Sequence, residues 1–211
     1  MIDDTPSSDR QDAILDAAFK AFATYGFRRT SMDDIARGAG LSRTALYLHF
    51  RNKEDIFRSL AMRYFDEALR DMGAALDQSG PDPEAALMAA FVAKDGKFME
   101  AVLTTPHGDE LMDAGFAITG DLAAEGEARI ADCLAGWLAR RGVAADLGRA
   151  AQLARDILAA LKGQKMVARD LAGYRAGQAR IARIFARALM AVPGNSAKPQ
   201  RSEAVPIGSG N

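Results

Sequence analysis

The densest set of side chains able to recognise another molecule lies between Ser42 and Lys53 of the 211-residue sequence. Ser42 is a helix-capping residue type, so Arg43 and Thr44 fall in the first turn of the helix that follows. An arginine can pair bidentately with the N7 and O6 acceptors of guanine, and a small threonine lets a helix approach a thymine methyl group. The segment therefore predicts contacts with base edges in DNA.

Other groups close to this segment suit contacts with the phosphate backbone. Tyr47, His49 and Lys53 carry donors for phosphate oxygens, and Thr30 and Ser31 open a preceding helix whose first backbone amides favour anions. Tyr47 taken alone is equally consistent with a core position. His49 is a candidate DNA contact only because of the residues that surround it in the sequence. The predicted DNA contacts are Thr30, Ser31, Arg43, Thr44, Ala45, Tyr47, His49 and Lys53.

These residues depend on two short helices and a tight turn for their placement. Apolar spacing predicts a helix over residues 10–25, a second that starts at Ser31 and stops near Gly38 or Gly40, and a third after Ser42. Two short helices joined by a glycine-containing turn form a helix-turn-helix, in which the second helix enters the major groove. That groove is about 12 Å wide and admits one helix.

The charge distribution agrees with a local nucleic-acid surface. The whole chain has a formal net charge of −1, which argues against non-specific binding of nucleic acid by the entire molecule. Between residues 26 and 58 the bases outnumber the acids, so a few phosphate contacts there would supply sequence-independent affinity. The bases are Arg28, Arg29, Arg37, Arg43, Arg51, Lys53 and Arg58, and the acids are Asp33, Asp34, Glu54 and Asp55.

The stretch from Ile14 to Phe57 resembles the TetR (tetracycline-repressor) family of bacterial regulators. The resemblance rests on AFATYGF, DIARGAGLS, ALYLHF and the following NKE, which together are specific. It covers about the first quarter of the chain and implies a homodimer, a palindromic operator and a variable helical body that binds a small molecule. The DNA contacts that the resemblance assigns are Thr30, Arg43, Thr44, Ala45, Tyr47, His49 and Lys53. Leu48 stands where the family often has a polar or aromatic residue, so no contact is assigned to it.

The remainder of the chain predicts further helices and no strands. Helical periodicity covers residues 54–76, 84–103, 109–118, 121–141, 145–169 and 173–191, with turn formers between them. We therefore expect an all-α protein with a three-helix DNA-binding head at 10–57, a ligand-binding and dimerisation body at 58–192, and a disordered tail at 193–211.

Several apolar and aromatic residues of the middle helices have two interpretations. Core packing is the simpler one, while the resemblance implies that some of them border a cavity for a small hydrophobic molecule. His107 joins the set because it lies at a break between body helices. The candidate pocket residues are Phe91, Phe98, Met99, His107, Met112, Phe116 and Trp137.

The last two predicted helices carry apolar stripes that also have two interpretations. They can face only their own core, or they can pack about a two-fold axis as a four-helix interface. The resemblance favours the interface. Its candidate residues are Leu147, Ala154, Ile157, Leu158, Leu161, Ile181, Ile184, Phe185 and Ala188.

Other site classes have weaker support. Two histidines, one cysteine and the lack of a phosphate-binding glycine loop or a nucleophile elbow predict no catalytic residue, no metal and no cofactor. Asp109 and Asp113 share a helix face near His107, but helix N-terminal stabilisation is favoured over a polar ligand site. Cys133 is interpreted as a buried apolar residue rather than a redox sensor.

The sequence thus predicts a cytoplasmic regulator of transcription without a membrane span, released from a double-stranded DNA operator by a small-molecule effector. Repression is favoured over activation. The alternatives are a sequence-nonspecific DNA-packaging protein and a helical enzyme with a DNA-binding head.

Overall fold

The computed structural model describes residues 7–143 and 145–190, and every regular element within them is helical. The prediction of an all-α fold is therefore confirmed. The tail predicted at 193–211 lies outside the described residues. The α-helices are α1 (Ser7–Tyr25), α2 (Met32–Gly38), α3 (Arg43–Tyr47), α4 (Lys53–Gln78), α5 (Pro83–Thr104), α6 (Gly108–Ile118), α7 (Gly120–Arg141), α8 (Ala150–Val167) and α9 (Leu171–Met190).

Helices α1–α3 and the start of α4 surround a small core of their own, which we call the head core. Ile14, Ile35 and Leu46 are fully buried there, one from each of the first three helices. The rings of Phe22 and Phe27 lie 5.1 Å apart between centroids, and both approach a third phenylalanine at the start of α4. The head core holds α3 by its inner face.

Local capping explains where the head helices start. Ser31 and Asp34 form a reciprocal capping box at α2: the Asp34 amide donates to Ser31 Oγ at 3.2 Å, and the Ser31 amide donates to Asp34 Oδ2 at 3.0 Å. The Ser31 hydrogen bonds also lower the pKa of the Asp34 carboxyl. Ser42 caps α3 by a single hydrogen bond, in which its hydroxyl oxygen accepts from the Ala45 amide at 3.1 Å.

The body forms a second and larger core between α4, α5, α7, α8 and α9. Phe91 on α5, Leu134 on α7 and Ile157 on α8 are completely buried in it. Since α5 packs against both α4 and α9, it occupies the middle of the body. This arrangement leaves α6 between the body and the head.

Two elements join the head to the body. Helix α4 runs without a break through the predicted boundary between residues 57 and 58. Leu111 and Ala114 of α6 are buried in the head core, although they lie more than fifty residues beyond it in sequence. The division into domains stays a prediction, and α6 is the body element that contacts the head core.

The prediction of one helix over 145–169 is wrong at its beginning. Ala145–Leu147 form a separate 3-10 turn, and α8 starts at Ala150. Gly148 adopts φ +79°, a left-handed conformation that interrupts an α-helix. The chain therefore changes direction before α8.

Across residues 7–143 and 145–190, no helix combines the length and the apolar character that crossing a membrane requires.

Candidate nucleic-acid interface and body cavity

Helix α3 is amphipathic across its short length. Leu46 and the following Phe50 are buried in the head core, whereas Arg43, Thr44 and Tyr47 are exposed on the opposite face. Tyr47 is 43% exposed, so the alternative that it is a core residue is wrong. The exposed face of α3 presents one guanidinium, one hydroxyl and one phenol to solvent.

Arg43 makes contacts that orient it on this face. Its Nη1 donates to Asp33 Oδ2 at 2.8 Å, and its Nη2 lies 3.4 Å from the Tyr47 hydroxyl. Its guanidinium carbon stands 5.5 Å from the centre of the Tyr47 ring. The nearby Asp33 carboxylate and Tyr47 raise the pKa of Arg43. Arg43 is therefore held beside α2 in the unbound molecule and must leave Asp33 to reach a base edge.

The other residues predicted on this surface are distributed unevenly. Ala45 and His49 are half-buried at the flanks of α3, and Ser31 is exposed. The Ser31 hydroxyl is used in the capping box, where it donates to Asp34 Oδ2 at 2.6 Å. Leu48, to which the sequence assigned no contact, is 82% exposed at the end of α3.

The prediction that Thr30 contacts DNA is wrong for its side chain. Thr30 is 1% exposed, and its hydroxyl lies 2.8 Å from the Gly26 carbonyl and 3.3 Å from the Ala21 carbonyl. Its hydroxyl therefore closes the loop between α1 and α2 and does not face solvent.

Lys53 has partners inside the head that the sequence did not indicate. Its Nζ donates to the carbonyl oxygens of Phe27, Arg28 and Thr30 at 2.8, 3.0 and 3.3 Å, and it lies 4.7 Å from the centre of the Phe27 ring. An ammonium group has three donors, so these carbonyls use all of them. In the unbound molecule Lys53 thus ties α4 to the loop after α1. A phosphate contact by Lys53 would require giving up part of this arrangement, and that contact stays a prediction.

A large cavity lies mainly in the body, where α4, α5, α6, α7 and α8 line it together with α1 of the head. Its volume is about 1360 Å³. Phe98 and Met112 line it, together with Tyr64, Phe65 and Leu158, so these walls are largely apolar. Its volume exceeds the roughly 300–1,000 Å³ of typical ligand pockets.

Four of the predicted pocket residues lie elsewhere. Phe91 and Trp137 pack in the body core, and Met99 is buried away from the cavity. These apolar side chains therefore contribute to the packing of the protein interior, which was the simpler interpretation of the sequence. The His107 ring does not line the cavity and instead places Nδ1 at 3.1 Å from Glu110 Oε1. The side chain of Phe116 lies outside the described residues.

A charged cluster absent from the predictions adjoins the cavity. Lys94 Nζ and Lys165 Nζ lie 2.8 and 2.5 Å from the same oxygen of Asp95, Oδ1. The Tyr64 hydroxyl donates to that oxygen at 3.1 Å, and the Tyr174 hydroxyl donates to Oδ2 at 2.9 Å. We call these five residues the Lys94–Asp95–Lys165 cluster. Its only sequence signal is a charged pair on the face of α5 that also carries Ala90 and Phe91.

Burial perturbs the acid–base chemistry of this cluster. Burial by itself raises the pKa of the Asp95 carboxyl, but the two ammonium groups outweigh it and hold that pKa well below its ordinary value. Burial, reinforced by the charge of Lys94, lowers the pKa of Lys165 to about 8. Burial and the Asp95 charge raise the pKa of both tyrosines. Asp95 is thus ionised, and two cations share its charge.

Neither of the weaker site candidates gathers a ligand set. Within the described ranges, no group of three or more His, Cys, Asp or Glu side chains is arranged to hold a metal ion. Asp109 Oδ1 accepts from the Glu110 amide at 3.0 Å at the start of α6. Cys133 is half-buried, and burial raises the pKa of its thiol.

The predicted interface residues divide into three groups by burial. Ala154, Ile157 and Leu161 are completely buried in the body core, so their assignment to an interface is wrong: the inner face of α8 packs inside its own subunit. Ile184 is 64% exposed on α9. The half-buried members are Leu147, Leu158, Ile181, Phe185 and Ala188.

The fold and the exposed α3 define a helix-turn-helix protein with a helical body, and comparison with known proteins agrees. Residues 14–60 match the family model described as bacterial regulatory proteins, tetR family. The HTH-type transcriptional repressor ComR of Escherichia coli strain K12 is 36% identical over 83 residues, which are 39% of this chain and 40% of ComR. The chain spans less than half the length of the curated relatives that it matches first.

Solved structures resemble this chain over most of its length. A Mesorhizobium loti protein described as a TetR-family transcriptional regulator superposes with a TM-score of 0.66 and 22% identity, over 90% of this chain and 98% of that one. SmeT, the repressor of the Stenotrophomonas maltophilia multidrug efflux pump SmeDEF, superposes with a TM-score of 0.61 and 22% identity. That superposition covers 84% of this chain and 89% of SmeT. A SmeT–triclosan complex also matches. At these identities the likeness concerns the fold.

The head of the chain is accordingly similar to the tetR family of bacterial regulatory proteins, and its whole fold is similar to that of the solved structures.

Proposed function

We propose that this chain is a ligand-responsive, DNA-binding regulator of transcription. The observation that carries the proposal is the geometry of α3: Leu46 and Phe50 fasten its inner face, and Arg43, Thr44 and Tyr47 stand exposed on its outer face. A helix presented in this way suits the major groove, where arginine pairs with guanine. Thr44 and Tyr47 would supply a close approach and a phosphate contact.

Two copies of the head are needed to read a palindrome. We propose a homodimer formed through α8 and α9, whose large apolar side chains Met166, Val167, Ile184 and Met190 are all at least half exposed. A two-fold dimer would place two copies of α3 in successive major grooves, about 34 Å apart. The buried inner residues of α8 take no part in this interface.

The body cavity is the proposed effector site, and repression is the proposed outcome. The cavity reaches α6, since Leu111 and Met112 both line it, and Leu111 is also part of the head core. An effector that favours a different position of α6 would misplace the heads on the operator. The resulting coupling between two sites is typically about 1–3 kcal/mol. The relatives ComR and SmeT are named as repressors. A regulator of this kind works in the cytoplasm, where it meets DNA.

Selection of bound fragments from random DNA tests the proposal. The purified full chain should enrich one palindromic sequence, and Arg43→Ala should weaken binding to it by roughly 5- to 150-fold and relax one base position. Arg140→Ala is the matched control, because this exposed arginine lies on α7 in the body. Fluorescence anisotropy at one salt concentration measures all three proteins.

The same measurement separates the alternatives. Equal affinity for the enriched palindrome and for scrambled DNA would favour a sequence-nonspecific packaging protein and would contradict the proposal. Turnover of a bound small molecule by the purified chain would instead favour a helical enzyme with a DNA-binding head.

A further inference from the structure

The cavity of the body has a buried end that is richer in positive than in negative charge. Lys94 and Lys165 place their ammonium groups on one oxygen of Asp95, and their side chains are 10% and 18% exposed. Asp95 itself is completely buried. Two cations share a single carboxylate, so the three side chains together carry one uncompensated positive charge.

The order of these groups directs the positive charge towards the cavity. Lys94 and Lys165 line the cavity, whereas Asp95 lies behind them and does not. Tyr64, which also lines the cavity, and Tyr174, which does not, donate to the Asp95 oxygens. Asp95 therefore already accepts four donors, and each ammonium group has three donors, of which Asp95 engages one.

The acids that line the cavity form ion pairs with other bases, and none of these pairs involves Lys94 or Lys165. Arg63 contacts Asp12 and Asp16, and the other three acids pair with a base on a neighbouring helix or turn. The pairs are Asp12–Arg63, Asp16–Arg63, Asp66–Arg129, Glu67–Lys97 and Glu127–Lys162.

The walls beside the lysines are apolar and aromatic. The ring of Tyr64 lies 5.2 Å from that of Phe65 and 5.3 Å from that of Phe98, measured between centroids. Met112 and Ile130 complete this part of the lining. An occupant would thus meet a hydrophobic surface along most of its length and two ammonium groups at one end.

We propose that the effector is an apolar molecule with a single anionic group, a carboxylate or a comparable acid, which binds to Lys94 and Lys165. This inference rests on the proposed function only in taking the cavity as the effector site. The anion would supply the missing counter-charge and accept hydrogen bonds from both ammonium groups, and such charge-assisted bonds are the stronger ones. The apolar part would lie against Phe65, Phe98 and Met112.

The excess of positive charge at this end of the cavity also contributes to the low pKa of Lys165, which is about 8. Burial and the neighbouring ammonium of Lys94 both disfavour its charged form, and Asp95 compensates only in part. A bound carboxylate would favour the charged form of Lys165.

Calorimetric titration of the full chain without DNA tests the inference. The probes are two pairs that differ in charge alone: decanoate with 1-decanol, and 1-naphthoate with 1-naphthalenemethanol. The anion should bind roughly tenfold or more tightly than its neutral partner in at least one pair. Lys165→Gln and Lys94→Gln should each abolish that preference. Lys162→Gln should keep it, because this lysine also lines the cavity but is already paired with Glu127.

Three results would overturn the inference: no charge preference in either pair, no binding of any of the four probes, or an equal loss of preference in Lys162→Gln. Circular dichroism establishes that each variant is folded. A purely structural role of the two lysines would change the free energy of unfolding and leave the probe preference intact.

Because no DNA is present in the titration, the two proposals fail separately. A chain that prefers the anions but enriches no DNA sequence would contradict the proposed function and keep this inference. A chain that enriches a palindrome and shows no preference for the anions would support the proposed function and contradict this inference.

Discussion

Glu110 on α6 accepts a hydrogen bond from the backbone amide of Arg28 in the head, with 3.4 Å between Oε2 and the nitrogen. Its other oxygen lies 3.1 Å from His107 Nδ1. The carboxylate also covers Gly26, where a Cβ atom would stand only 2.6 Å from Oε2. This contact joins the helix that borders the cavity to the loop that precedes α2.

Replacing Glu110 by alanine should reduce the communication between cavity and DNA. We expect an effector to bind the Glu110→Ala variant with unchanged affinity but to release operator DNA less completely, because α6 then holds the loop after α1 less tightly. Calorimetry gives the first quantity and anisotropy the second. Asp113→Ala, which changes an exposed acid on the same helix, should behave like the wild type. Full release by Glu110→Ala would contradict this role.

Asp33 should compete with DNA for Arg43, the arginine that we propose reads a base. Arg43 must leave Asp33 before it can contact a base, so Asp33→Asn should strengthen operator binding. Exposed ion pairs contribute little, and the gain should therefore not exceed about fivefold. Glu54→Gln, which removes an exposed negative charge from α4, controls for the general effect of charge.

A double-mutant cycle identifies the cause of that gain. In the Arg43→Ala background, Asp33→Asn should improve binding no more than Glu54→Gln does, because the competing partner is gone. A gain of the same size with and without Arg43 would mean that Asp33 acts only by repelling phosphates.

Lys53 should matter for the stability of the head. Lys53→Met leaves the carbonyls of Phe27, Arg28 and Thr30 without their shared donor. Hydrogen bonds to charged groups contribute about 1.5–3 kcal/mol, and we expect the free energy of unfolding to fall by an amount in that range. Urea denaturation measures it, with Lys20→Met on the exposed side of α1 as the control. If the variant kept its stability and only its salt dependence of DNA binding weakened, Lys53 would be a phosphate contact after all.

The free energy of unfolding should rise with pH just above neutrality because of Lys165. Its pKa is about 8 in the folded chain against an ordinary value of 10.5. Between these values the unfolded chain binds more protons than the folded chain, so stability increases with pH. The increase cannot exceed about 1.4 kcal/mol per pH unit.

Lys165→Met isolates this contribution. The difference in unfolding free energy between wild type and variant should grow in favour of the wild type from about pH 8 to about pH 9.5. Above about pH 10 the raised pKa values of Tyr64 and Tyr174 act in the opposite direction, since only the unfolded chain then loses their protons. Parallel curves for the two proteins would show that Lys165 does not titrate in this range.

The sequence alone determined the features that depend on neighbouring residues. Helical periodicity and the caps at Ser31 and Ser42 are encoded within a few positions, and they specify the all-α fold and the helix-turn-helix of the head. The exposed face of α3 follows from the same periodicity, because Leu46 and Phe50 turn inward together and leave Arg43 and Tyr47 outside.

The tertiary structure decided which partners each side chain has. Thr30 and Lys53 have residue types that suit phosphate. In the folded head, however, the Thr30 hydroxyl bonds to carbonyls of α1 and Gly26, and Lys53 bonds to carbonyls of the loop after α1. Lys94, Asp95 and Lys165 come together only when α5 and α8 both pack against α9, across seventy residues of chain. The spacing of residues along the sequence does not predict this contact, because the contact depends on how whole helices pack. The positive charge at the end of the cavity therefore exists only in the folded protein.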